Sequence, residues 1–141
     1  EKDTHTINEF EKKLQTDLAF MDYFKSVYIS AKTGQRVNKL LALADEVKAN
    51  AEKRITTGLL NDVISSAVRA TEPPTKNGRR LKIYYAVQDG VCPPSFVFFV
   101  NNAELMHFSY KRFLENTLRK SFGFEGTPIR IFVREKSDRD L

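Results

Sequence analysis

Two segments decide the fold of this chain: GRRLKIYYA at 78–86 and PPSFVFFVN at 93–101. In the first segment, Leu81, Ile83 and Tyr85 alternate with other residues, and the alternation continues to Val87, which predicts a strand with one apolar face. The second segment is almost continuously apolar from 95 to 100, which favours a strand in the centre of a sheet.

A helix and a last strand follow these two segments. Between 109 and 122 apolar residues recur at helical spacing, and Gly123 stands where a C-cap glycine belongs. Ile129, Ile131 and Val133 then alternate with basic residues and Phe132, as in a strand. Because the apolar residues of 59–68 also share one helical face, we predict an α+β domain at 59–135, in which helices pack on one face of a three-stranded sheet.

The N-terminal part has a different pattern. Residues 7–18 and 37–51 carry apolar side chains at helical spacing, and Val27-Tyr28-Ile29 predicts a short strand buried on both faces. We therefore expect 1–52 to be a helix–strand–helix part of an α/β layer, 53–58 a connector and 136–141 a charged tail. Because the sequence contains no partner strands for this layer, we expect it to pack on a second copy or on another part of a longer protein.

Composition restricts the function. The 141 residues carry a formal net charge of +5, which favours an anionic partner, with nucleic acid ahead of an acidic membrane surface. A single cysteine, Cys92, excludes an internal disulfide, and no apolar run approaches the ~18 residues of a membrane span, so we expect a cytoplasmic location. His5 and His107 are far apart and belong to no metal-ligand or catalytic spacing, so we predict neither a metal site nor an active site here.

Basic residues are concentrated in the α+β domain. The candidates for phosphate contact are Arg79, Arg80, Lys82, Lys111, Arg112, Arg119 and Lys120. A solvated surface would explain the same charges without a ligand, and both interpretations stay open. Tyr84 and Phe132, predicted on the strand faces away from the core, could stack on bases or pack against a neighbouring domain.

A glycine pair follows the last predicted helix. Gly123-Phe124-Glu125-Gly126 has the letters of the Gly-x-x-Gly loop of KH domains, but it joins a helix to a strand and contains an acidic residue. We interpret the two glycines as a helix C-cap and a strand-entry turn.

Several motifs occur in an informative order. They are Glu1-Lys2-Asp3, Ile29-Ser30-Ala31-Lys32-Thr33-Gly34-Gln35, Lys53-Arg54-Ile55-Thr56-Thr57, Gly78-Arg79-Arg80, Pro93-Pro94, Ser109-Tyr110-Lys111-Arg112 and Gly126-Thr127-Pro128-Ile129-Arg130-Ile131. In order and spacing they resemble the C-terminal part of the Der (EngA) family of bacterial ribosome-assembly GTPases. The resemblance implies that 1–52 is the end of the family's second GTPase domain and that 59–135 is its KH-like domain.

The resemblance also implies a function. Ser30, Ala31 and Lys32 would correspond to the turn that contacts guanine. The phosphate loop, the switches and the Asn-Lys-x-Asp motif are absent from the sequence, so we expect this chain to be inactive alone, with no cofactor of its own; GTP and Mg²⁺ are implied for the longer protein. The implied partners are the RNA of the large ribosomal subunit and the GTPase domains. The alternative is a KH-like domain that docks on the GTPase domains without contacting RNA.

Overall fold

The N-terminal part of the chain contains two α-helices and a short 3-10 helix, Ala19–Met21, in the computed structural model, which describes residues 4–137 and 139. Helix α1 spans Thr4–Asp17 and helix α2 spans Val37–Glu52. The predicted motif Glu1-Lys2-Asp3 and part of the predicted tail at 136–141 lie outside the described residues.

The connection between α1 and α2 contains no strand. Among the described residues, no strand pairs with Val27-Tyr28-Ile29, the segment predicted as a strand buried on both faces. That prediction is corrected, because Val27 and Tyr28 are half-buried and Ile29 is 43% exposed. A strand forms only where a neighbouring strand takes up its backbone hydrogen bonds, and none of the described strands lies beside this segment.

Helices α3 and α4 form the layer that covers the sheet; they span Thr57–Ala70 and Phe108–Phe122. Thr56 caps α3, because its hydroxyl accepts the N–H of Leu59. Gly123 ends α4 with a φ of 90°, and its N–H donates to the Arg119 carbonyl, which confirms the predicted C-cap glycine.

The sheet contains three strands, β3 (Ile83–Gly90), β4 (Ser95–Val100) and β5 (Arg130–Glu135), after a short hairpin of β1 (Thr75–Lys76) and β2 (Arg79–Arg80). β3 is antiparallel to β4, and β5 is parallel to β4. β4 is therefore central, as its continuous apolar run predicts. The predicted α+β fold, with a three-stranded sheet and helices on one face, is confirmed.

A β-bulge reverses the predicted faces of β3 from Tyr85 onward, while Ile83 packs against the core as predicted. Ile83 and Tyr85 pair with consecutive residues of β4, so the strand contains one extra residue between them. Ala86 then lies opposite Phe98, and both are fully buried against the helices. The alternation predicted Tyr85 and Val87 on the core face; they lie on the outer face instead, because a bulge shifts the two-residue period by one.

The core lies between the sheet and helices α3 and α4. Its largest fully buried side chains are Phe96, Phe98, Phe124, Leu60, Leu114, Leu118 and Val100. Tyr110 also belongs to it, and its hydroxyl donates to the Thr71 carbonyl at 2.8 Å, which ties the start of α4 to the end of α3. Burial raises the pKa of the Tyr110 hydroxyl.

Candidate nucleic-acid interface

The hairpin places three predicted cations at one end of the sheet. Arg79, Arg80 and Lys82 are exposed, and Arg80 also forms an ion pair with Glu72 at 2.9 Å. The side chain of Asn101 fixes their backbone, because it accepts the Lys82 N–H at 2.9 Å and donates to the Arg80 carbonyl at 3.1 Å. The hairpin is thus attached to the end of β4, and its cations remain accessible.

The predicted cations of α4 lie on different sides of that helix. Lys111 is half-buried and lines a groove of about 430 Å³ between α4 and β5, together with Arg130 and Phe132. Arg112 lies 3.9 Å from the Asp22 carboxylate, and Lys120 is exposed at the groove between α3 and α4. Lys111, Arg112 and Lys120 therefore do not form one cluster, and they do not join the cations of the hairpin.

Arg119 is not a surface cation, which corrects its prediction as a phosphate contact. Its side chain is only 16% exposed. The guanidinium donates to the carbonyls of Phe124 and Thr127 at 2.9 and 3.0 Å, and its central carbon lies 4.5 Å from the centre of the Tyr23 ring. With Glu115 also 3.5 Å away, these contacts engage both terminal nitrogens, and the low exposure leaves little of the side chain for a phosphate.

Aromatic rings and cations share the outer face of the sheet, away from α3 and α4. The rings of Tyr85 and Phe99 stack with their centres 4.6 Å apart, and Lys136 Nζ lies 5.1 Å from the centre of the Tyr85 ring. Phe132 is 48% exposed on the same face, and Arg134 pairs in register with Phe99. Tyr85, Phe99 and Lys136 are half-buried, and Lys136 Nζ donates to the Tyr85 hydroxyl at 3.2 Å, whereas Phe132 and Arg134 are exposed. Aromatic rings beside cations can stack on bases and neutralise phosphates, so this face is a candidate nucleic-acid platform.

Sequence reasoning identified only part of this outer face. Phe132 was predicted there, but Tyr84 lies at the bulge, where Lys82 Nζ is 5.3 Å from its ring centre. The sequence did not indicate Tyr85 or Lys136 on this face. The strand alternation predicts Tyr85 in the core, and Lys136 belongs to the segment predicted as a charged tail. A bulge gives no reliable signal in a single sequence.

The turn predicted to contact guanine is well formed. Ser30 N–H donates to the Gln35 carbonyl at 3.0 Å, and Gly34 N–H donates back to the Ser30 carbonyl at 2.8 Å. Gly34 has a φ of 73°, which glycine adopts without strain. Ala31 and Lys32 are exposed at the tip, so the turn can present its backbone to a ligand.

The structure gives the histidines ordinary roles. His5 lies 3.5 Å from Glu9 on α1, and His107 is the N-cap residue of α4. Within 4–137 and 139, no three His, Cys, Asp or Glu side chains are grouped as metal ligands. None of the helices described is both long and apolar enough to cross a membrane.

Comparison with known proteins identifies the family. Residues 54–134 match the model described as the C-terminal KH-domain-like region of EngA bacterial GTPase enzymes. Proteins named GTPase Der from Desulfitobacterium hafniense and Clostridium novyi are 56% and 55% identical over 98% of the chain. The GTPase Der of Desulforamulus reducens is 52% identical over the whole chain. The chain spans about a third of these relatives' length, 31% to 32%. The chain belongs to the Der (EngA) family of GTPases and contains its C-terminal KH-like domain.

Proposed function

We propose that the KH-like domain docks a Der-type GTPase on the RNA of the large ribosomal subunit during its assembly in the cytoplasm. The observation that supports this most directly is the outer face of the sheet, where Tyr85, Phe99 and Phe132 lie beside Arg134 and Lys136. Bases of any sequence can stack on an accessible aromatic ring, and neighbouring cations add affinity for the phosphates.

Further cations lie elsewhere on the surface of the domain and are candidates for additional phosphate contacts. The hairpin contributes Arg79, Arg80 and Lys82, and the groove between α4 and β5 contributes Lys111 and Arg130. Arg112 and Lys120 stay as peripheral candidates, because each is exposed and lies at a different part of the surface. Arg119 is left out, because its donors bond within the chain.

The GTPase part of the function belongs to the longer protein. We propose that GTP and Mg²⁺ bind to the complete second GTPase domain, with Ser30, Ala31 and Lys32 supplying its guanine turn. The segment 27–30, with which no described strand pairs, lies beside apolar residues of α1 in an open groove of about 710 Å³. We expect the rest of that domain to cover this groove, and a second copy to cover it when the rest is absent.

Paired variants test the RNA contacts. Binding of the chain to purified large ribosomal subunits is measured across a salt series, with GTP absent. Removing two cations from the platform with R134Q/K136Q should reduce the slope of log affinity against log salt by about 1.4 to 1.8, because each phosphate contact releases counterions. The control K12Q/K13Q removes two exposed charges from α1 and should leave the slope unchanged. Equal slopes for both double variants would remove the outer face from the proposal.

The alternative is that the outer face of the sheet docks on the GTPase domains. The exposed ring of Phe132 supports this alternative, because a protein partner could bury it. A second arm therefore measures binding of this chain to separately purified GTPase domains of a relative. If the alternative holds, F132A weakens that binding with little salt dependence and leaves binding to the ribosomal subunit unchanged.

A further inference from the structure

The loop between α4 and β5, residues 123–129, is bound by the N-terminal part of the chain. Asn50 Nδ2 donates to the Glu125 carbonyl at 3.0 Å, and Gly126 N–H donates to the Tyr23 carbonyl at 2.8 Å. Lys25 forms an ion pair with the Glu125 carboxylate. Tyr23 and Asn50 bracket the segment that contains the 30–32 turn, so both ends of that segment are attached to this one loop.

Gly126 brings the loop directly against α2. Its φ is 81°, and a Cβ added to it would overlap the side chain of Val47. Glycine is therefore required twice, once for the backbone conformation and once for the close approach of the helix. The close approach indicates an interface between α2 and the loop.

Arg119 connects the two sides of this interface. Its guanidinium donates to the carbonyls of Phe124 and Thr127, which flank the residues that α2 and Tyr23 contact. Its face lies against the Tyr23 ring. Arg119 thus shapes the loop from the side of α4 and contacts the N-terminal segment itself.

The connector adds further attachment points. Lys53 Nζ donates to the Phe122 carbonyl at 2.8 Å, where α4 ends. The amide of Gln88 on β3 donates to the Lys53 carbonyl at 2.9 Å and accepts the Ile55 N–H at 2.7 Å. The end of α2 is therefore held by both α4 and the sheet.

We propose that the α4–β5 loop is an interdomain docking loop, and that Arg119 is the positioning residue that couples the segment carrying the 30–32 turn to the KH-like domain. The inference rests on the proposed function only in that residues 4–52 belong to a GTPase domain of the longer protein. It adds a coupling between that domain and the KH-like domain, and it does not depend on RNA binding. Protein groups engage the backbone of Glu125 and Gly126, where a Gly-x-x-Gly loop would offer its backbone to phosphate. Displacement of the turn is transmitted to α4 through these contacts.

Residue-level amide exchange of the whole chain tests this inference. R119Q removes the guanidinium, and its matched control K120Q removes the neighbouring exposed charge, for which no hydrogen bond or ion pair is described. We expect the Gly126 amide to exchange at least about tenfold faster in R119Q, a loss of about 1.4 kcal/mol of protection, and to be unchanged in K120Q.

A second variant separates docking from the folding of the KH-like domain. Y23A removes the ring on the N-terminal side and leaves the core of the KH-like domain intact. We expect faster exchange at Gly126 and along α2, while the amide of Phe98 in the centre of the sheet keeps its protection. Unchanged exchange at Gly126 in Y23A would overturn the inference. This test remains valid even if R119Q unfolds the whole chain, because it does not use that variant. Because no RNA is present, either result leaves the RNA proposal to its own test.

Discussion

Substituting Gly126 with alanine measures how closely the two parts of the chain pack. A non-glycine residue at a φ of 81° costs about 1–2 kcal/mol in the left-handed region. The overlap of the new Cβ with Val47 adds about 1–3 kcal/mol of overpacking, because a branched side chain attached to a helix has little room to move. Gly78 provides the matched control, since its φ is 73° and no atom lies within 4 Å of an added Cβ.

Thermal and urea unfolding of the two variants give the difference directly. G126A should be less stable than G78A by about 1–3 kcal/mol, or several degrees in melting temperature for a chain of this size. V47A should relieve the overlap, so G126A should cost less in a V47A background, with a coupling of about 1–2 kcal/mol. Equal stability of G126A and G78A, with no coupling to Val47, would refute the close contact between α2 and the loop.

Two further predictions concern polar contacts. The Asn61 side chain donates to and accepts from the backbone of Ala86 on the free edge of β3, both at 2.8 Å, so N61A should cost about 2–4 kcal/mol in urea unfolding. The exposed Asn116 of α4 is the control, and a similar loss in N116A would contradict this role. Lys25 lowers the pKa of Glu125, so this exposed ion pair should stabilise the chain above the ordinary glutamate value of 4.5 and lose that contribution as the pH falls below it. The stability of E125Q should therefore approach that of the unmodified chain in acid or in high salt; a difference that persists in both would contradict the assignment.

The order of elements could be predicted from the sequence because local patterns specify it. The continuous apolar run at 95–100 requires burial on both faces, and Gly123 tolerates a conformation that other residues avoid, so both predictions agree with the structure. Strand pairing could not be predicted in the same way. The run Val27-Tyr28-Ile29 has the composition of a buried strand, but whether it forms one depends on a neighbouring strand, and no described strand pairs with it.

The site was less predictable than the fold, because exposure depends on packing between distant segments. Arg119 and Lys120 are adjacent and have the same charge, yet one is enclosed by carbonyls and the Tyr23 ring while the other is exposed. Tyr85 reached the outer face only through the bulge in β3. Charge and periodicity identify which residue types are present; the three-dimensional contacts determine which of them a ligand can reach.

The central claim is that the KH-like domain carries RNA affinity of its own. The most direct test is binding of this chain to purified large ribosomal subunits as salt is raised, with no nucleotide present. The account predicts binding at low salt that weakens steeply, linearly in log affinity against log salt, as phosphate contacts release counterions. No binding at low salt, or binding that salt does not affect, would contradict it and favour a domain that docks on the GTPase domains.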